Sequence, residues 1–192
     1  MVFLLLAASF GVAATSPQNW SGNYPPCNRH DDLLSRERVD LGIRISTSNA
    51  TFARQFKQAM EFWSGVLDLT WHDDDSPNCS IQLVDGEPEL FESSGSCSCV
   101  SARSQLPDRP AFQGWIAFNT GAKLTERQMF LVSVHEIGHL LGLPHNSSGS
   151  SVMFFFGLDG SESLDTNDLA ALATRHKLRA GVLEKGVIFI AE

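Results

Sequence analysis

Apolar and polar positions alternate or recur along the chain in a way that marks out most of its elements. Val39, Leu41, Ile43 and Ile45 alternate with Asp40, Gly42, Arg44 and Ser46, the period of a half-buried strand. From Thr51 the period changes: Phe52, Phe56, Ala59, Met60, Trp63 and Leu67 fall on one face of a helix, with Asn49 or Thr51 as cap and Gly65 near its end. Leu67, Leu69 and Trp71 alternate again, a turn follows over 72–77, and Ile81 to Val84 form another short strand. Residues 85–111, rich in Ser, Pro, Gly and Cys, are expected to be a long loop held by disulfides. Gly114 to Phe118 is a final strand candidate. Thr125 and Gln128 have capping-box spacing and open an uninterrupted helical stretch, Glu126 to Leu141.

The first fourteen residues, MVFLLLAASFGVAA, carry no charged side chain and have the length of a signal-peptide hydrophobic region, so 1–14 is expected to be removed on export. The polar stretch 15–38, with Pro25-Pro26, is expected to be a leader or short propeptide, too short for a conventional prodomain. One domain over 39–180 and a tail over 181–192 complete the expected organisation, with no internal repeat. No later segment approaches the ~20 apolar residues of a membrane span, and the ending GVIFIAE does not make an anchor signal.

Composition removes whole classes of function. With 14 Lys+Arg against 22 Asp+Glu the chain carries a net charge of -8, which offers no footprint for nucleic acid or an anionic membrane surface. At 43% hydrophobic residues it has material for a core and does not read as disordered. A secreted, extracellular monomer is the expectation. Export makes Cys27, Cys79, Cys97 and Cys99 disulfide candidates. Only Ser98 separates Cys97 from Cys99, so each is expected to reach to one of Cys27 and Cys79, with the pairing open. Asn-x-Ser/Thr sequons begin at Asn19, Asn49, Asn78 and Asn146 and suit an exported glycoprotein.

The chemistry is concentrated between Thr125 and Met153. His135 and His139 are four apart on the predicted helix, so both imidazoles project from one face and can grip one metal ion. Glu136 lies beside them, placed to act on a metal-held water as a general base without being a ligand. Gly142 stands where helices commonly stop in a left-handed conformation, and the turn it permits would return His145 to the other two. Three neutral nitrogens leave a fourth zinc position open, the mark of a catalytic site.

HEIGHLLGLPH, residues 135–145, resembles the metzincin zinc-binding consensus HExxHxxGxxH, and Ser151-Val152-Met153 resembles its Met-turn. The short interval from His145 to Met153 is similar to that of the matrixins, the matrix-metalloproteinase group. More weakly, VDLGIRIS resembles the first matrixin strand, Phe52 to Trp63 the first helix, CSIQLVDG the third strand and Leu164 to His176 the C-terminal helix. Asp168 stands where matrixins carry a structural Asp. The resemblance implies an α+β fold of the α/β-type zincin sandwich: a twisted, mostly parallel sheet with an antiparallel edge strand, an active-site helix carrying HExxH, and a small C-terminal subdomain with the Met-turn and a C-terminal helix. It further implies a zinc metalloendopeptidase acting on proteins or peptides, one catalytic zinc on His135, His139 and His145, Glu136 as base and Met153 as a hydrophobic floor. Substrate is expected to pair in extended form with an edge strand near Gly114 to Phe118.

Departures from the pattern qualify these expectations. Asn146 replaces the usual Ser after the third His, and Phe154-Phe155-Phe156-Gly157 replaces the Pro and Tyr that wall the main specificity pocket. Residues 85–119 contain no His, so a second, structural zinc is not expected. Asp73 to Asp75 offer weak support for calcium, and a solvated turn is the plainer reading. Cys27 in Pro25-Pro26-Cys27-Asn28 only loosely resembles the prodomain cysteine that caps zinc in relatives, and a disulfide there is the plainer reading. His30, His72 and His176 stand alone and read as structural or surface residues. The alternative function is a secreted, non-catalytic zinc-containing binding module or effector.

Overall fold

Strand β1 (Val39–Ser46) carries the first alternation, but Gly42 is buried along with Leu41 and Ile43 because β1 runs inside a sheet. Helix α1 (Ala50–Val66) follows, with the Asn49 side chain accepting from the Phe52 N–H at 2.9 Å. It returns the chain to β2 (Leu69–His72), parallel to β1, as a parallel pair requires a crossover. Strand β3 (Cys79–Asp85) lies on the other side of β1. The computed structural model describes residues 39–73, 79–94, 99–105, 112–154 and 163–190. Expectations on residues 1–38, on Asp74 and Asp75, on Cys27 and Cys97, and on Phe155 to Gly157 lie outside the described residues.

The stretch expected to be a loop over 85–111 is corrected. It contains helix α2 (Pro88–Ser94) and strand β4 (Cys99–Gln105). Pro88 stands at the first helical position, where its missing N–H costs nothing, and Phe91 is buried, so one Phe anchors a helix too short to show a period. Strand β4 has little apolar alternation because it is an end strand, ordered by its antiparallel ladder to β5 (Phe112–Phe118). Strand order is β2-β1-β3-β5-β4, parallel throughout except for β4. The edges of the sheet are therefore β2 and the antiparallel β4, and Gly114 to Phe118 lies inside it, between β3 and β4.

Helices α1 and α3 (Glu126–Leu140) cover one face of the sheet. Phe52 of α1 stacks on Phe118 of β5, ring centroids 4.0 Å apart, and the Trp63 indole N–H donates to the Val134 carbonyl of α3 at 3.2 Å. Beyond α3 lies a smaller unit: β6 (Ser163–Leu164), α4 (Thr166–Ala173) with Asp165 as N-cap, α5 (Val182–Lys185) and β7 (Ile188–Phe189), antiparallel to β6. The segment expected to be a tail packs against the rest, with Val182 and Ile190 buried and the Arg127 guanidinium donating to the Ile190 carbonyl at 2.9 Å. This is the mixed sheet-and-helix architecture expected from the sequence, with its antiparallel edge strand and small C-terminal unit.

Phe52 is wholly buried at the junction of α1 and β5. Phe52→Ala is expected to cost about 3–5 kcal/mol of unfolding free energy, read from the midpoint and slope of a urea titration.

Candidate metal centre

Helix α3 starts on a complete capping box: Thr125 Oγ1 accepts from the Gln128 N–H at 3.2 Å, and Gln128 Oε1 accepts from the Thr125 N–H at 2.9 Å. With that start fixed, the helical period puts His135 and His139 side by side, ring centroids 4.5 Å apart. The helix closes through Gly142, whose φ of 100° lies in the left-handed region, and Leu143 N–H bonds back to the Gly138 carbonyl at 2.9 Å. That reversal brings His145 round, so that its Nε2 is 3.2 Å from His139 Nε2. One ligand nitrogen from each of the three rings lies within 4.8 Å of the others. Two imidazole nitrogens sharing a tetrahedral zinc at ~2.0–2.1 Å would be separated by about 3.3 Å, so this donor set fits the ion that the sequence implies.

The rings are also oriented for it. His135 Nδ1 lies 2.6 Å from the Val152 carbonyl and His139 Nδ1 lies 2.8 Å from the Leu143 carbonyl. A carbonyl only accepts, so each Nδ1 carries the hydrogen and each Nε2 keeps its lone pair. Burial, with the neighbouring His135 next, lowers the His139 pKa to about 4. His135 is lowered in the same direction, again mainly by burial. His139 is thus held neutral, the form that binds a metal, well below the pH at which free imidazole protonates, and His135 is shifted the same way.

Glu136 is buried beside this cluster, and its Oε2 accepts a 2.5 Å hydrogen bond from the Ser101 hydroxyl on β4. Burial raises its pKa, while the Ser101 bond and the nearby His139 and His145 pull it back.

Met153 is fully buried and lies against α3 at Gly138. A Cβ at 138 would fall 2.7 Å from Met153 Sδ and 3.2 Å from the Trp63 ring, so only glycine lets the turn close this tightly on the helix. The turn is held from behind. Asn146 Nδ2 donates to Asp165 Oδ1 at 3.0 Å and to Asp168 Oδ1 at 2.9 Å, and its backbone N–H donates to the Met153 carbonyl. Ser151 Oγ donates to Asp168 Oδ2 at 2.6 Å and accepts from the Met153 N–H. Burial raises the Asp168 pKa, and the Ser151 and Asn146 bonds oppose it. Asn146 thus joins the residue after His145 to α4. With both Nδ2 hydrogens engaged and the residue buried, the sequon there has no room for a glycan.

Other singled-out residues lie apart from the cluster. Asp73 pairs with Lys57 at 2.8 Å, His72 lies 3.7 Å from Asp40, and buried His176 places Nε2 2.7 Å from the Leu141 carbonyl at the end of α3. Cys79 stands in a disulfide whose partner is outside the described residues. A bridge from Cys99 to Cys79 is excluded by register, since Cys79 faces Phe112 and Cys99 faces Phe118, about 20 Å along β5. Cys99 instead carries a buried thiol, raised well above its usual pKa by burial and then by the Glu136 charge. Sequence reasoning missed Ser101 altogether, because β4 had no visible strand period to set its direction.

Three imidazoles on a helix and its returning turn, over a buried methionine and beside a mixed sheet, have the arrangement of a zincin-type metal site. The sequence model described as Matrixin, a peptidase family, matches residues 39–176, and the chain belongs to that family. No curated protein matches the chain. Membership implies a zinc metallopeptidase with protein substrates. Among the described residues no helix is long and apolar enough to cross a membrane.

Gly138→Ala is expected to displace Met153, to cost about 1–3 kcal/mol of stability and to weaken zinc retention, measured by thermal unfolding and by competition with a chelator. In the metal-free protein the His139 ring resonance should titrate near 4. Zinc uptake at pH 6 should accordingly release no proton from His139, measurable by calorimetry in buffers of different ionisation heat.

Proposed function

We propose that the protein is a secreted zinc-dependent metalloendopeptidase that hydrolyses internal peptide bonds of proteins, with Glu136 as general base. The observation that carries this reading is a carboxylate buried against three converging imidazoles, because a purely structural metal site has no use for that acid. His135, His139 and His145 would hold one zinc ion through Nε2. Bound there, zinc would lower the pKa of a water and polarise the scissile carbonyl.

The chain's own groups do the rest. Glu136 takes the proton of the attacking water and then delivers it to the leaving amine. The outer edge of β4 offers backbone N–H and C=O groups on which an extended peptide adds as a further strand, next to the metal centre. Met153 keeps an apolar floor close to the ligand helix. The uncharged first fourteen residues support export, and an oxidising compartment suits the Cys79 bridge. Occupied sequons are then expected away from Asn146.

Incubation of the purified protein with casein or gelatin, with and without a chelator, tests the reading. Chelator-sensitive cleavage is expected. Glu136→Ala should keep its zinc and lose turnover by about a hundred- to ten-thousand-fold. His139→Ala should lose zinc as well. Cleavage at a near wild-type rate by Glu136→Ala, or none by the wild type against any peptide library, would overturn the assignment, the latter in favour of a binding module.

A further inference from the structure

Helix α3 faces one side of the sheet, and the residues of that side come in rows across the strands. One such row runs Ile45, Leu83, Ile116 and Ser101, across β1, β3, β5 and β4. Its first three members are aliphatic, and Leu83 and Ile116 are fully buried. An apolar side chain would suit the fourth position equally well by packing. A hydroxyl stands there instead, and its hydrogen goes to the one carboxylate that α3 presents to this strand, Glu136 Oε2, at 2.5 Å. The two residues are 35 apart in sequence and belong to different elements, so the bond joins the edge strand to the ligand helix.

The chemistry of the bond sets its consequence. A carboxylate has two oxygens, and a base that has to meet a water proton in one direction benefits when the other oxygen is tied down. Helix α3 fixes the backbone of Glu136, but several torsions separate that backbone from its carboxyl group. Ser101 removes that freedom: it occupies Oε2 and leaves Oε1 for the proton. It also supplies a charge-assisted donor to a carboxylate that burial would otherwise disfavour.

We propose that Ser101 is a positioning residue for the peptidase reaction, holding the Glu136 carboxylate by Oε2 so that Oε1 faces the attacking water. This rests on the reading of Glu136 as general base.

The test uses the zinc-loaded protein and three variants, Ser101→Ala, Ser101→Thr and Glu136→Ala. Ser101→Ala is expected to lower kcat about tenfold while KM and zinc content stay within about twofold of wild type, and Ser101→Thr, which keeps the hydroxyl, to recover most of the loss. A second readout needs no turnover. In metal-free protein labelled at the glutamate side-chain carboxyl carbon, the resonance missing from Glu136→Ala should shift in Ser101→Ala and return towards its place in Ser101→Thr. Wild-type kcat in Ser101→Ala, with Glu136→Ala inactive, would overturn this inference and leave the general base standing. So would a loss of kcat that comes with lost zinc or a lowered melting temperature and that Thr does not recover. Turnover surviving in Glu136→Ala would overturn the base assignment itself, and the positioning role with it.

Discussion

An α-helix can bring two imidazoles to one point but not three at that depth, because neighbours on its surface come only at three- and four-residue spacing. The third ligand must arrive by a reversal of the chain, and much of the site's construction follows from that need. Gly142 supplies the left-handed residue, and Leu143 bonds back to Gly138. In the same reversal the Leu143 carbonyl turns towards His139 Nδ1 and His145 comes within 3.2 Å of His139. One backbone event therefore ends the helix, orients one ring and delivers another. The following turn repeats the economy: its Val152 carbonyl orients His135 while Met153 closes under Gly138.

Such a cluster is electrostatically costly to hold together without a cation. The structure manages it by burying His135 and His139, which favours their neutral forms, and by giving each of their Nδ1 atoms an acceptor, so that both of their Nε2 lone pairs are available. The same burial works against a charged Glu136, and the Ser101 hydroxyl is the neutral group that offsets it. Behind the turn, Asp165 and Asp168 are arranged the opposite way, their oxygens engaged by Asn146, Ser151 and backbone N–H groups. This carboxylate network is structural, and it explains an Asn after the third His: its amide donates twice, where a hydroxyl could donate once.

What was legible beforehand divides along a physical line. The strand at β1, the face and cap of α1, the capping box of α3 and the left-handed glycine all depend on residues within a turn or two of one another, and each stands where expected. The stretch 85–111 was misjudged because its order comes from elsewhere. Helix α2 rests on a single buried Phe91, and β4 on a ladder supplied by β5. The misplacement of the edge strand followed from that, since Gly114 to Phe118 looks like the last strand only while β4 is unseen. Of the two partners left open for Cys99, one is excluded for a related reason: register, which no spacing reveals, puts Cys99 and Cys79 at opposite ends of the sheet.

The sequence by itself determined the local chemistry: two histidines at helical spacing, an acid beside them, a glycine able to reverse the chain and a third histidine on the return. These are consequences of the helical period and of backbone sterics, which act over a few residues and need no partner. Tertiary structure alone decided what holds those groups in position. Val152 lies 17 residues from the ring it orients, Ser101 lies 35 from the carboxylate it binds, and Asn146 lies 22 from Asp168. A hydrogen bond between distant residues depends on the register of strands and the seating of helices, which are settled by the burial of the whole core. The ligands could therefore be read one by one, whereas their supports emerged only once the sheet, α3 and α4 had been brought together.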